Sequence, residues 1–250
     1  FPAKLQYQKL DSVKGAGPMV AIAGGHNILL VGPPGHGKTM LAKAALKLLP
    51  ELDMDSIFEL NRIYSAKGEL KGNEFIQSRP YQEASNNVTH AALYGGGRPL
   101  GPGIISLAHK GILFFDELNQ CNPKLLDDLR GPLSDRVIQV QRVAGNVEFP
   151  CEFILIGAMN PCKCGWLGHY ECPLCQDIFF SNRKSCNRHP DVRLKKKCNC
   201  SRNTITSFQR KISQPILDRI DLKVLLSYYD TDVENKVQYA SSTVRKHIQR

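Results

Sequence analysis

Three groups of residues in this sequence have the types and spacing to do chemistry. The first is Val31 to Thr39, VGPPGHGKT. Gly32 to Gly37-Lys38-Thr39 fits G-x-x-x-x-G-K-[ST], in which glycines let backbone N–H groups wrap a phosphate chain at a helix N-terminus. Lys38 is expected to reach the β- and γ-phosphates of ATP, and the Thr39 hydroxyl to ligate magnesium. Gly32, Pro33, Pro34, Gly35, His36, Gly37 and Met40 complete the expected nucleotide-binding stretch. The second group is Asp116-Glu117, directly after the apolar run Ile112 to Phe115. Beside a phosphate loop, this pair reads as an aspartate that orders magnesium and a glutamate that polarises the attacking water.

The third group is the cysteines, seven of which lie between 162 and 200 as Cys162-x-Cys164, Cys172-x-x-Cys175, Cys186-x-x-His189 and Cys198-x-Cys200. An intracellular ATPase keeps its thiols reduced, so short-spaced pairs argue for zinc rather than disulfides. Two closed tetrahedral sites account for all eight groups. Cys172, Cys175, Cys186 and His189 form the inner one, and Cys162, Cys164, Cys198 and Cys200 the outer. Both would stabilise an excursion too polar to build a core of its own. His169 reads as a surface histidine or a replacement ligand, and Cys121 and Cys151 as packed or free thiols.

These groups need a scaffold. Asn27 to Val31 reads as a buried strand that breaks at Gly32 into a turn and then a helix from Met40 to Leu46. Asp53 or Asp55 can cap a second helix through Ile57, Leu60, Ile63 and Tyr64. Residues 79–110, punctuated by Gly and Pro, read as a strand followed by an inserted loop and short helix. Ile112 to Phe115 is too short for a helix and too apolar for a one-faced strand, so it belongs in a parallel sheet. Its carboxylates then sit at the strand's C-terminal end, where ligands collect in such sheets. Asn122-Pro123 starts a helix through Leu133, and 137–140 with 147–149 reads as a β-hairpin. Phe153 to Ala158 is another buried strand, ending at Asn160, which either faces the γ-phosphate or forms a turn. A helical pattern through Ile205, Phe208, Ile212 and Ile216 precedes a last strand, Leu222 to Leu226, and 231–248 begins a further helix.

A length of 250 residues and 42% hydrophobic content suit one large α/β domain with an appendage. No apolar stretch approaches the roughly 20 residues of a membrane span. The sequence opens at Phe1 and shows no signal peptide, and the expected setting is the cytoplasm. Net charge is +10, and 11 Lys/Arg against three acids between Cys162 and Lys211 place +8 of it in one fifth of the chain. Such a basic block is the electrostatic footprint of a nucleic-acid contact.

GGHNILLVGPPGHGKTMLAK, GGGRPLGPGIISLAHKGILFFDEL, LRGPLSD, RVAGNVEFPCEFILIGAMNPCKCG and ILDRIDL together resemble the magnesium-chelatase-like AAA+ ATPases, most closely the ComM-type competence proteins, over roughly residues 10 to 230. The resemblance implies a parallel five-stranded sheet, ATP and magnesium as cofactors, and a homo-oligomeric ring, usually a hexamer. It makes Asn160 the sensor-1 residue and Arg219 an arginine finger that serves the neighbouring subunit's ATP. It also turns the elements at 79–110 and 137–150 toward a central pore, where Arg142, Arg98 and Lys110 could grip single-stranded or branched DNA. The expected division is a P-loop core over 1–161, a cysteine-rich insert over 162–200, the last helix and strand of the core over 201–229, and the start of a helical lid over 230–250. The chain departs from the family at Asn86-Asn87, where a histidine pair is usual, and at Asp135-Arg136, where a glycine follows the acid. The inner cysteine pairs are also an addition to the usual pattern. Two other functions fit the same motor: the ATPase subunit of a chelatase-type complex, or a MoxR-like chaperone ATPase that meets a protein partner through the zinc insert.

Overall fold

The computed structural model describes residues 16–70, 75–96, 100–142, 145–176, 178–180, 186 and 188–226. Arg98 and the helix expected over 231–248 lie outside them, and only the backbone of Arg142 is described.

Five parallel strands form the centre: β1 (Ile28–Val31), β2 (Tyr81–Ala84), β3 (Ile112–Phe115), β4 (Ile154–Met159) and β5 (Leu222–Leu225). They lie in the order β5-β1-β4-β3-β2. All residues of β1 and β3 are fully buried, because helices cover both faces and each strand must be apolar on both sides. Ile28, Leu30, Ile112 and Phe114 face a cluster with Ala21, Ala42 and Ala45 from the helices Ala16–Gly24 and Lys38–Leu46. Leu29, Val31, Leu113 and Phe115 face the opposite cluster, with Leu93, Leu126, Leu133 and Ile216.

Around this sheet several local choices resolve. Asp53, not Asp55, caps Met54–Lys67: its carboxylate accepts from Ser56 N at 2.8 Å, and Asp55 sits in the first turn. The region 79–110 holds more than one short helix. His90–Tyr94 and Ile104–Leu107 flank a two-residue antiparallel ladder, Gly95–Gly96 with Gly101–Pro102. The helix after Asn122 is two short helices, Pro123–Asp128 and Arg130–Asp135, which lead into the hairpin Val137–Arg142 with Gly145–Pro150. The single helical pattern expected from Ile205 to Ile216 is also two helices, Arg202–Gln209 and Gln214–Leu217. Pro215, in the first turn of the second, is the reason: it cannot donate back into a continuing helix.

Between β4 and Arg202–Gln209 the chain makes a separate small sheet from His169–Glu171, Ile178–Phe180 and Lys195–Lys196, all antiparallel. Its core is small: Cys172, Cys186 and Leu194, with Tyr170, Cys175 and Val192 against them. Among the described residues no helix is long and apolar enough to cross a membrane.

Candidate functional site

Because the five strands are parallel, Gly32, Asp116 and Asn160, which follow β1, β3 and β4, emerge at one end of the sheet. Gly37 (φ +72°) turns the chain into the helix that Lys38 opens, a left-handed conformation that favours glycine. Lys38 is buried, and its Nζ donates to the carbonyls of Gly32 (2.9 Å) and Pro33 (2.8 Å) and to Asn160 Oδ1 (3.1 Å). Burial pushes the Lys38 ammonium below its ordinary value, while Asp116 and Glu117 act in the opposite direction. Thr39 is half-buried beside it, and Met40 is 70% exposed, its side chain turned outward.

Asp116 and Glu117 are both half-buried at the end of β3. Glu117 has φ +50°, rare for a residue with a side chain and costing roughly 1–2 kcal/mol. The fully buried Leu118 and almost fully buried Asn119, in the 3-10 turn that follows, hold it there. Asp116 Oδ1 accepts from Glu117 N at 2.9 Å. Asn86 Nδ2 donates to Glu117 Oε2 at 3.1 Å, so this asparagine fixes the glutamate's carboxylate. Sequence reasoning noticed Asn86 only as a departure from the family; no spacing rule links residues 86 and 117.

Arg219 is not brought to this end. Its Nε donates to Ser134 Oγ (3.0 Å) and its Nη1 to Pro215 O (2.9 Å). Its carbonyl accepts from Asn27 Nδ2 at 3.0 Å, at the start of β1, whereas the phosphate loop begins at that strand's far end. Four strand residues separate the two by about 13 Å. Lys110, expected as a DNA grip, is ion-paired with Glu152, and the lysine side chain is 22% exposed and the glutamate 56%.

Both cysteine groups close as expected. The ligand atoms of Cys162, Cys164, Cys198 and Cys200 lie within 4.8 Å of one another, as do those of Cys172, Cys175, Cys186 and His189. Tetrahedral thiolates about 2.3 Å from an ion stand about 3.8 Å apart, whereas a disulfide needs about 2.05 Å. Cys162 and Cys198 Sγ are 3.7 Å apart, Cys175 and Cys186 Sγ 3.6 Å, and Cys172 Sγ and His189 Nδ1 3.6 Å. Both groups could therefore hold a metal. The backbone N–H of Cys175 pulls the Cys172 thiol down to about 6. Burial pushes Cys164 up, but the Trp166 N–H and neighbouring thiols outweigh it and bring it to about 7. Cys121 and Cys151 are buried and unbridged, and burial raises them to about 11 and about 12.

His169 corrects the sequence reading. It is fully buried, not on the surface, and joins neither metal group. Its ring stands edge-on to Trp166 (5.8 Å between centroids) and to His36 of the phosphate loop (6.3 Å). Burial pushes its imidazole down to about 4, which keeps it neutral.

Comparisons with known proteins agree with this architecture. The family model described as "Magnesium chelatase, subunit ChlI" matches residues 11–188 and 175–233. YifB of Escherichia coli is 32% identical over 232 residues, covering 92% of this chain and 41% of YifB. The competence protein ComM of Haemophilus influenzae is 36% identical over 206 residues, covering 82% of this chain and 35% of ComM. The magnesium-chelatase subunit ChlI of Olisthodiscus luteus is 26% identical over 145 residues, 54% of this chain and 42% of that one. The chain thus spans about two fifths of the length of the curated relatives it matches. With the phosphate loop, the Asp116-Glu117 pair after β3 and the β5-β1-β4-β3-β2 sheet in place and the family model matching nearly the whole chain, the protein belongs to the magnesium chelatase subunit ChlI family of AAA+ ATPases.

Proposed function

We propose that the protein is a ring-forming ATPase, a hexamer by family resemblance, that couples ATP hydrolysis to movement on single-stranded or branched DNA. The observation that carries the ATPase reading is the meeting of Lys38, Asn160, Asp116 and Glu117 at one end of the sheet. The hard oxygen donors of Thr39 and Asp116 fit magnesium; these two residues would hold the ion, which would supply positive charge to offset that of the phosphates. Lys38 binds the β- and γ-phosphates. Glu117, oriented by Asn86, takes up the proton of the attacking water, and Asn160 holds that water in line. Arg219 lies too far from its own phosphate loop to act in cis, which supports its service to the next subunit.

The DNA reading is supported by charge. Lys163, Arg193, Lys195, Lys196, Arg202 and Arg210 are all exposed on or beside the insert. We assign zinc to both cysteine groups, because sulfur-rich tetrahedral sets suit it. The test is ATP hydrolysis by the full zinc-loaded protein, with and without single-stranded and four-way-junction DNA, across a salt series. Stimulation that fades as salt rises is the expected result, since phosphate contacts release counterions. An unchanged rate with no DNA binding at low salt would refute the DNA motor and favour a chelatase-type or chaperone ATPase acting on a protein partner.

A further inference from the structure

The outer cysteine group lies directly against the phosphate loop. Cys162 follows Asn160-Pro161 in sequence, and Asn160 accepts from the Lys38 ammonium. Pro161 O in turn accepts from the buried Gln209 Nε2 at 3.0 Å. Gly165 (φ +81°) is buried against Pro34, so closely that a Cβ there would stand 2.6 Å from Pro34 Cδ. One residue on, Trp166 stands edge-on to His36 at 6.3 Å between centroids, and His169 does the same. On the returning strand, Lys197 N donates to His169 O at 2.9 Å, and its ammonium lies 4.0 Å from the Trp166 ring centroid. Cys198 comes next. The residues of 165–169 that meet Pro34 and His36 are therefore held between one ligand pair, Cys162 and Cys164, and the other, Cys198 and Cys200.

Phosphate binding by such a loop needs its glycines, lysine and threonine; it does not need an aromatic ring beside the residue before Gly37. We propose that the outer metal site is a positioning device for the phosphate loop. A metal on Cys162, Cys164, Cys198 and Cys200 sets Gly165, Trp166 and His169 against Pro34 and His36 and holds that loop in its phosphate-binding shape. Nucleotide binding and metal retention then reinforce each other, and linkage makes the effect reciprocal. The inner group, with no ring contact to the loop among the described residues, carries no such coupling. The proposal rests on the nucleotide-binding reading of the site and not on any DNA activity.

The test uses the full-length zinc-loaded protein with Mg·ADP as the probe. Trp166 is the single tryptophan of these 250 residues, so the emission difference between wild type and W166F isolates it, and that difference should change when Mg·ADP binds. In C172S, whose inner site is disabled, zinc release to a chromogenic chelator reports the outer site and should slow at least threefold with saturating Mg·ADP. W166A should keep wild-type zinc stoichiometry but bind Mg·ADP about fivefold more weakly, and W166F should restore the affinity. Should C172S fail to fold, the W166A and W166F pair decides alone. Zinc release indifferent to nucleotide, or wild-type ADP affinity in W166A, overturns the proposal while leaving the nucleotide site intact. No ADP binding by the zinc-loaded wild type overturns both.

Discussion

Replacing Asn27 with alanine tests whether the sheet and the turn carrying Arg219 are held by one buried side chain. Asn27 is 6% exposed. Its Oδ1 accepts from Leu155 N (2.9 Å) in β4, and its Nδ2 donates to Arg219 O (3.0 Å) just before β5. Its backbone also donates to Asp221 Oδ2 (2.8 Å) and accepts from Leu222 N (3.0 Å). Alanine keeps the backbone bonds and deletes both side-chain bonds, leaving Leu155 N and Arg219 O without those partners. At about 1–3 kcal/mol for the buried bond to Leu155 N and about 1 kcal/mol for the part-buried bond to Arg219 O, N27A should lose about 2–4 kcal/mol. For a domain of this size that is a fall in Tm of about 5–15 °C. Thermal melting of the zinc-loaded protein, followed by scanning fluorimetry and circular dichroism, reads the shift. A Tm within about 1 °C of wild type would refute the reasoning, because it would mean that water or relaxation replaces both bonds at no cost.

Three other outcomes are expected. Glu117→Gln should bind Mg·ATP normally and hydrolyse it at least about a hundredfold more slowly, in line with loss of a general base; turnover near wild type would remove Glu117 from that role. Asn86→Ala should lower kcat about tenfold with KM for ATP unchanged, since a hydrogen bond to a carboxylate is worth about 1.5–3 kcal/mol. An unmoved kcat would show that the 3.1 Å contact does not orient the glutamate. His109 is buried, bonds to Glu59 through Nε2, and accepts from Glu152 N through Nδ1, so it must be neutral. Burial pushes it below its ordinary value. The unfolded chain therefore binds more protons than the folded one below about pH 6.5. Stability should be full above that pH and fall as pH drops toward the folded-state value. Wild type should lose more Tm between pH 7.5 and 5.5 than H109N does, and equal losses would contradict the assignment.

The features legible in the sequence are those whose chemistry is local in the chain. β1 and β3 declared themselves as short apolar runs because helices bury both their faces, and G-x-x-x-x-G-K-T and the Cys-x-Cys pairs carry their spacing within a few residues. The contacts that stayed hidden join distant positions with no periodicity to link them: Asn86 to Glu117, Asn27 to Leu155, and His36 to His169. Helix faces also misled. The pattern placed Phe208 toward the core, but in Arg202–Gln209 the buried residue is Gln209, drawn in by the Pro161 carbonyl, while Phe208 stays half-buried beside Lys211. In 79–110, a two-residue ladder is too short to leave any alternation for a sequence to display.

The place of β1 between β4 and β5 also bears on how the chain reaches this structure. Ile28 pairs with Ile156 on one side and Leu222 on the other. Its neighbours are therefore made long after it, and such topologies fold slowly while the unpaired strand invites aggregation. Drawing Cys162 and Cys200 to one ion shortens the path from the end of β4 to the start of β5 by a factor of about 2.5, which lowers the closure cost by about 0.8 kcal/mol. A metal held by these cysteines would therefore shorten, about fourfold at most, the time for which the middle of the sheet waits for its last edge.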